Sequence, residues 1–416
     1  MTFLDVFMLA SLVCIWLLLI LNIFLIIGGY LYYLESTEYL PPRLKTYPMA
    51  SIMVPAHNES VVITQTVLSL LNFDYPRDRY EIIVINDNSS DNSAQMLDAI
   101  KNKNPGRNLE IINTDSVTGG KGKSNALNIG FEKCRGEYIV IYDADNTPEK
   151  NALRLLVSEI VSNPLLGAVI GKFRTRNKSA NLLTRFINIE TLAFQWMAQA
   201  GRWKLLKLCT IPGTNFIIRR KIIEDMGGWD PKAVAEDTEI SFRIYRMGYY
   251  IKFLPQAVTW EQEPQTIKVW FRQRTRWVKG NVYVLIKNMP MLFDRKAGQV
   301  RFDLCYFIST YFLLLSSLVV SDGVFFLNAC GWAHTTLAGF SYLLWALAIL
   351  LFIISTFVTV TTEKGEMTVE NVAIIGLMYF TYSKLWMIVA IYGIIQYIKE
   401  RALNMETKWY KTERFE

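Results

Sequence analysis

The sequence predicts an α/β fold: a mostly parallel sheet with helices on both faces, joined to interfacial helices and a transmembrane helical region. Three observations predict it. Between Met49 and about Trp260, short β-branched runs alternate with helix-length stretches, and apolar strands separated by helices belong to parallel sheets covered on both sides. Val6–Leu34 carries no charge over 29 residues, more than the about 20 that cross a bilayer core. Further on, Gly323–Thr362 has no charged residue over 40 positions.

Residues 1–40 read as an N-terminal transmembrane helix and link. A signal peptide is the rival, but no Lys or Arg precedes the run, and the run is too long for an h-region. Pro41, Pro42 and Pro48 then separate the span from the soluble region, residues 41–262. There Ser51–Pro55, Glu81–Ile85, Leu109–Ile112 and Tyr138–Tyr142 read as strands, with Ser60–Leu71, Ser93–Lys101 and Gly122–Phe131 as helices between them. Ligands of such sheets bind at the carboxyl ends of strands. Leu182–Ala200 is amphipathic and suits either the core or the bilayer surface equally. Residues 263–302 hold a basic, aromatic stretch of interfacial composition (Trp270, Phe271, Arg272, Arg274, Arg276, Trp277, Lys279, Tyr283). Residues 303–400 hold predicted spans at about 304–328, 337–361 and 371–398, and a basic tail follows at 401–416.

Topology does not close on these spans. Arg43 and Lys45 place the soluble region inside. Three more crossings would leave the tail outside, although Lys399, Arg401, Lys408, Lys411 and Arg414 favour the inside. Lys384 interrupts the last apolar run and calls for a cavity or a polar partner. A re-entrant or interfacial 371–383 resolves the conflict, and a cytosolic tail is the expectation.

Composition narrows the function. The net charge is +7, but no nucleic-acid-binding motif accompanies it. A solvated face against anionic lipid accounts for it better, with room for a small basic site for diphosphate. Cys14, Cys134, Cys209, Cys305 and Cys330 show no CxxC spacing. Two histidines argue against a His-based metal site or a Ser-His triad.

Five constellations carry candidate chemistry. Pro55, His57 and Glu59 follow the first strand, and Asp87 follows the second. Either can be a helix-capping loop, but Asp87 can also accept hydrogen bonds from a base or a ribose. Gly119–Ala126 is a glycine-rich turn with Lys121 and Lys123 opening a helix. It suits phosphate, though it lacks Walker A spacing. Asp143 and Asp145 end the strand YIVIY. Period-two geometry puts both carboxylates on one side, where hard oxygens suit Mg²⁺ or Mn²⁺ bridging a diphosphate. Glu236 and Asp237 open a helical stretch, either as acids favourable to the helix dipole or as a general base for a hydroxyl. Gln273-Arg274-Thr275-Arg276-Trp277 is either an interfacial belt or a diphosphate clamp (Arg276) beside a sugar-stacking ring (Trp277).

In this order the residues resemble the membrane-embedded processive family-2 glycosyltransferases, which include cellulose, chitin, hyaluronan and poly-N-acetylglucosamine synthases. The resemblance runs from about Ser51 to Gly280 and continues into the flanking spans. It implies a GT-A fold and inverting transfer from a UDP-sugar. Asp87 would contact the uridine, with Pro55, His57, Glu59 and Lys123 also at the nucleotide. Asp143 and Asp145 would hold ribose, diphosphate and metal. Asp237 beside Glu236 would be the base. Gln273, Arg274, Arg276 and Trp277 would close over diphosphate and acceptor. Pro212-Gly213-Thr214-Asn215 would be the strand segment beside the acceptor. Ala235 stands where the family often has Thr, which touches positioning rather than the acid. The chain ends at Glu416 without the regulatory barrel of some cellulose synthases, so that control is not expected. Arg174–Ser179 is similar to the poly-N-acetylglucosamine branch.

The expected activity is therefore polymerisation and export of a β-linked polysaccharide from UDP-glucose or UDP-N-acetylglucosamine. Its partners would be the UDP-sugar, the growing glycan and the bilayer, with an accessory subunit or homo-oligomer left open. Two rivals remain. One is single-sugar transfer to a lipid, as in glucosylceramide synthases. The other is a nucleotide-sensing membrane protein without catalysis, against which every acid the transfer needs is present.

Overall fold

The structure, a computed structural model, describes residues 3–294, 297–298, 300–332, 338–403 and 411–415. Lys408 of the expected basic tail and the first residue of the expected 337–361 span lie outside the described residues. The strands are β1 (Ala50–Ala56), β2 (Tyr80–Asn86), β3 (Leu109–Asn113), β4 (Tyr138–Ile141), β5 (Thr147–Pro148), β6 (Leu166–Thr175), β7 (Phe216–Arg219) and β8 (Tyr250–Glu261). The helices are α1 (Phe3–Glu38), α2 (Ile63–Leu70), α3 (Ser93–Lys103), α4 (Lys123–Phe131), α5 (Ala152–Ser162), α6 (Leu182–Ala193), α7 (Arg202–Leu206), α8 (Arg220–Met226) and α9 (Glu236–Arg246), then α10 (Ile267–Asn288), α11 (Val300–Ile308), α12 (Leu315–Ala329), α13 (Ala338–Thr361), α14 (Val369–Phe380) and α15 (Tyr382–Ala402).

The strands form one eight-stranded sheet in the order β3-β2-β1-β4-β7-β6-β8-β5. The first half is parallel, with Ile52 opposite Ile82 and Val54 opposite Val84. Of these, β1, β2 and β4 are buried on both faces, which explains their unbroken Ile/Val runs. The second half is mixed, because β7 runs antiparallel to both β4 and β6. The order reverses direction beside β1 and β4, so the turns after β1, β2 and β4 open towards one crevice.

Two local expectations are corrected. β4 ends at Ile141, so Asp143 and Asp145 stand in the turn beyond it and not in the pleat. Pro212–Asn215 is not a strand either. Gly213 (φ +87°) and Asn215 (φ +50°) are left-handed, a conformation no strand adopts, and β7 begins only at Phe216.

The membrane-facing part is joined to the sheet. α1 and the helix Val300–Ala329 are each long and apolar enough to cross a membrane, and Met8 and Leu12 pack against Val324. The expected 371–398 span is broken: α14 and α15 meet at a 43° bend. The Thr381 hydroxyl donates back to the Leu377 carbonyl at 2.9 Å, a side-chain bond that bends helices. Lys384 finds its polar partner in Asp322, 2.6 Å away. The loop before α14 is pinned to the sheet: Lys172, Arg174 and Lys178 meet Glu363 and Glu366, and Asn188 donates to Glu366 at 3.0 Å. At the other end of the pair, Glu400 pairs with Lys279 of α10 at 2.5 Å. Both ends of α14–α15 therefore touch the sheet-and-α10 body. The amphipathic 182–200 stretch is largely core: it continues α6 through a π-type segment, Phe194–Gly201, with Trp196 and Ala200 buried.

Candidate active site

Two adjoining cavities lie over the strand ends. The smaller, ≈ 90 Å³, is lined by Pro55, His57, Glu59, Asp87, Lys123 and Asp143 among others. The larger, ≈ 330 Å³, runs from Asp143, Asp145 and Asp237 to Glu190, Gln273, Trp277 and Trp386. Lys123, Asp143, Arg276, Thr412 and Arg414 line both, so the two are one crevice with an expected donor end and a helical end.

At the donor end, Asp87 is held after β2. Its Oδ1 accepts from the Thr114 hydroxyl at 2.8 Å and from Gly120 N–H at 2.9 Å. A Cβ on Gly119 would come within 2.3 Å of that same oxygen, so glycine is required there. The glycine-rich turn thus spends a backbone N–H on Asp87, and the group it sends into the crevice is the Lys123 side chain. His57 Nδ1 lies 2.6 Å from the Asp87 carbonyl, which fixes its ring at the wall.

Lys123 Nζ is the hub. It donates to Asp143 Oδ1 at 2.7 Å and to the Gly213 carbonyl at 2.8 Å, and it pairs with Glu236 at 3.2 Å. Burial alone would lower its pKa, but Asp143 and Glu236 outweigh burial and raise it, so it stays charged. Thr214 braces the acidic turn: its hydroxyl accepts from Asp143 N–H at 3.0 Å and donates to Asn146. Asn215 lies away from the crevice. Fully buried, it donates to the carbonyls of Lys172 and Ala257, both at 2.9 Å, which ties β7 to its neighbours. The expectation that it contacts diphosphate or acceptor is therefore corrected.

Asp145 Oδ2 accepts from Gln262 N–H at 3.2 Å and lies 2.8 Å from Arg414. Among the described residues no third His, Cys, Asp or Glu joins Asp143 and Asp145 to complete a metal cage. Two carboxylates in an open crevice fit Mg²⁺ or Mn²⁺ held jointly with a diphosphate, since Mg²⁺ commonly uses one or two carboxylates plus substrate phosphates. Arg414 also reaches Glu59 at 3.2 Å. Burial pushes the Glu59 carboxyl up to about 7, against the pull of Arg414 and Lys411. Lys411 and Arg414 of the expected tail thus point into the donor end and not towards lipid.

Asp237 lines the larger cavity, in the first turn of α9, beside Gly213 and the Lys123 side chain that faces both cavities. Its Oδ1 accepts from Thr238 N–H at 2.7 Å. Burial, then the charge of Glu236, pushes its carboxyl up to about 7, against Lys123 and the Thr238 N–H. That value suits a base working near neutral pH. A left-handed glycine lets the loop pass beside it: a Cβ on Gly213 would lie 2.8 Å from Asp237 Oδ2.

The helical end is built by α6, α10 and α15. Arg276 faces both cavities, whereas Arg274 turns away from the donor end. Arg274 donates to Gln273 Oε1 at 2.6 Å and to Glu190 Oε2 at 3.1 Å, and its guanidinium lies 3.9 Å from the centroid of the Trp277 ring. Trp277 is 39% exposed, facing a cavity that Phe173, Phe194, Phe307 and Tyr311 also line. Sequence reasoning missed Glu190, Tyr382, Trp386 and Arg414. Glu190 is the lone acid in the apolar stretch Leu182–Ala200, which was a signal. Arg414 carried none.

Comparison with known proteins agrees with this geometry. The family described as "Glycosyltransferase like family 2" matches residues 48–280. The probable glycosyltransferase YdaM of Bacillus subtilis (strain 168) is 48% identical over 408 residues, covering 97% of each chain. A poly-β-1,6-N-acetyl-D-glucosamine synthase of Staphylococcus epidermidis is 28% identical over 371 residues, 87% of this chain and 85% of the relative. The mannosyltransferase PcManGT of Pyrobaculum calidifontis, solved with GDP-Man and Mn²⁺, superposes with a TM-score of 0.61 at 21% identity, over 87% of this chain and 99% of that one; that likeness bears on the fold alone. The chain is a membrane-associated enzyme of glycosyltransferase family 2, with a GT-A fold.

Proposed function

We propose that this enzyme polymerises a β-linked polysaccharide from a UDP-sugar, with UDP-N-acetylglucosamine the favoured donor, and passes the product across the membrane. The observation that carries the reading is the placement of Asp237. It lines the aromatic cavity that runs to α10 and α15, beside the Lys123 side chain that faces both that cavity and the acidic donor end. The relative named as a poly-β-1,6-N-acetyl-D-glucosamine synthase, similar over most of the chain, supports the choice of sugar.

In this reading Asp87 takes the base or ribose, and Lys123 and Arg276 face the diphosphate. Asp143 and Asp145 would hold Mg²⁺ or Mn²⁺, which when bound neutralises charge growing on the leaving diphosphate. Asp237 takes the proton of an acceptor hydroxyl as that oxygen attacks the anomeric carbon. The bond to UDP breaks on the opposite face, inverting the configuration. Preorganised groups of this kind stabilise charge that develops in the transition state; a single oxyanion-hole donor is worth about 3–4 kcal/mol.

The catalytic body lies on the cytosolic face of the plasma membrane in this account. Arg43, Lys45, Lys399 and Arg401 flank the apolar helices, as the positive-inside rule asks. Because both ends of α14–α15 touch the same body, α14–α15 re-enters and the tail stays inside.

The test is to incubate purified protein in sealed vesicles with a panel of labelled UDP-sugars and size the product. A long labelled glycan made from one donor supports the reading. A lipid carrying a single sugar replaces it with the non-processive rival, and no incorporation from any UDP-sugar overturns it.

A further inference from the structure

We propose that Glu190 is a specificity-determining residue for the acceptor, receiving a hydrogen bond from a hydroxyl of the glycan's terminal sugars; this rests on the reading of the larger cavity as the acceptor site. Glu190 sits on α6 and lines that cavity. Its carboxylate is loaded on one side only. Oε2 accepts from Arg274 at 3.1 Å and from the Tyr382 hydroxyl. Among the described residues, no hydrogen bond or ion pair reaches Oε1, and the side chain keeps 22% of its surface exposed.

The surroundings define what that oxygen can bind. Arg274, which holds Glu190, also lies over Trp277 at 3.9 Å and near Trp386 at 5.8 Å, and both rings line the cavity. Tyr382 is fixed in turn by Trp270, whose Nε1 donates to its hydroxyl at 3.0 Å. A carboxylate oxygen held rigidly beside indole rings matches the two sides of a pyranose. The C–H face rests on the ring, and an equatorial hydroxyl donates to the carboxylate. A charge-assisted bond of this kind is about twice as strong as a neutral one, and an acceptor lacking the hydroxyl would leave the carboxylate without a donor. The network also ties acceptor recognition to α15, because Tyr382 supplies half of Glu190's anchoring.

The test is acceptor kinetics with β-linked N-acetylglucosamine oligomers at saturating donor, alongside UDP titration. For Glu190→Gln the acceptor KM rises about tenfold, the loss of one charge-assisted bond, while UDP affinity stays within about twofold. Tyr382→Phe keeps Oε1 available and raises KM less than about threefold. An unchanged KM in Glu190→Gln would overturn the proposal. So would a parallel loss of UDP affinity, or equal effects of the two substitutions, since either makes the network merely structural. These outcomes require a wild-type enzyme that transfers sugar; a wild type that incorporates none fails the parent reading instead.

Discussion

The two ends of the crevice are built differently. The donor end is assembled by short turns after β1, β2 and β4, each carrying its polar residues within a few positions of a strand. The helical end is assembled by side chains from α6, α10 and α15: Glu190, Arg274 and Tyr382 are far apart in sequence yet share one hydrogen-bonded group. The donor end faces charge with charge, through Lys123, Asp143 and Glu236. The other offers rings together with the half-used carboxylate of Glu190. In the proposed reading, activation of a nucleotide-bound sugar and grip on a neutral glycan fall to separate parts of the molecule, with Asp237 beside the Lys123 that lines both cavities.

If that division holds, substitutions at the donor end abolish transfer, whereas those at the helical end change acceptor affinity. The largest effect is expected for Asp145→Ala: transfer falls by about 10³ and Mn²⁺ binding, followed by the EPR signal of the free ion, weakens in parallel. Chelator treatment of the wild type reproduces the loss and added Mg²⁺ or Mn²⁺ reverses it. Next comes Lys123→Met, which leaves Asp143, Glu236 and Asp237 crowded without their shared cation. A drop of about 10²-fold is expected, together with a higher pH midpoint, because the charge that opposes the rise of the Asp237 pKa is gone.

The pH profile sharpens the comparison further. A carboxyl raised to about 7 is protonated below that pH and cannot accept the hydroxyl proton. The rate constant kcat/KM therefore falls about tenfold per pH unit as pH drops below the midpoint, and is level above it. A flat profile from pH 5 to 8 would separate Asp237 from proton transfer. The smallest effect is expected for Arg414→Ala. Removing the cation 2.8 Å from Asp145 lowers the Mn²⁺ concentration for half-maximal UDP binding by about threefold, the scale of one screened charge.

Much of the donor end could be read in the chain, because β-strand ends announce themselves: an apolar run stops and Asp87, Asp143 or Glu59 follows. The parallel half of the sheet was legible for the same reason. The antiparallel β7 was not, since its four residues carry no sign of direction. Nor was the turn at Pro212–Asn215, where two left-handed residues decide the conformation. Period two did not apply to Asp143 and Asp145, because the strand had already ended. The α14–α15 bend falls at Thr381, whose hydroxyl bonds back to a carbonyl, a local feature that apolar composition hides. Arg274 read as one of four motif residues closing over diphosphate and acceptor, but it is buried against Glu190 and Trp277, which it holds. Arg414 reaches Asp145 only through the folded path of the chain, which no spacing encodes.

The most direct measurement is a paired assay of Asp237→Asn, with UDP affinity by titration and sugar transfer by labelled product. The account predicts that UDP binds within about twofold of wild type while transfer drops by about 10²–10⁴. Transfer that persists, or UDP affinity that collapses with it, would contradict a crevice in which the half-buried Asp237 carboxylate serves transfer while the donor end binds UDP without it.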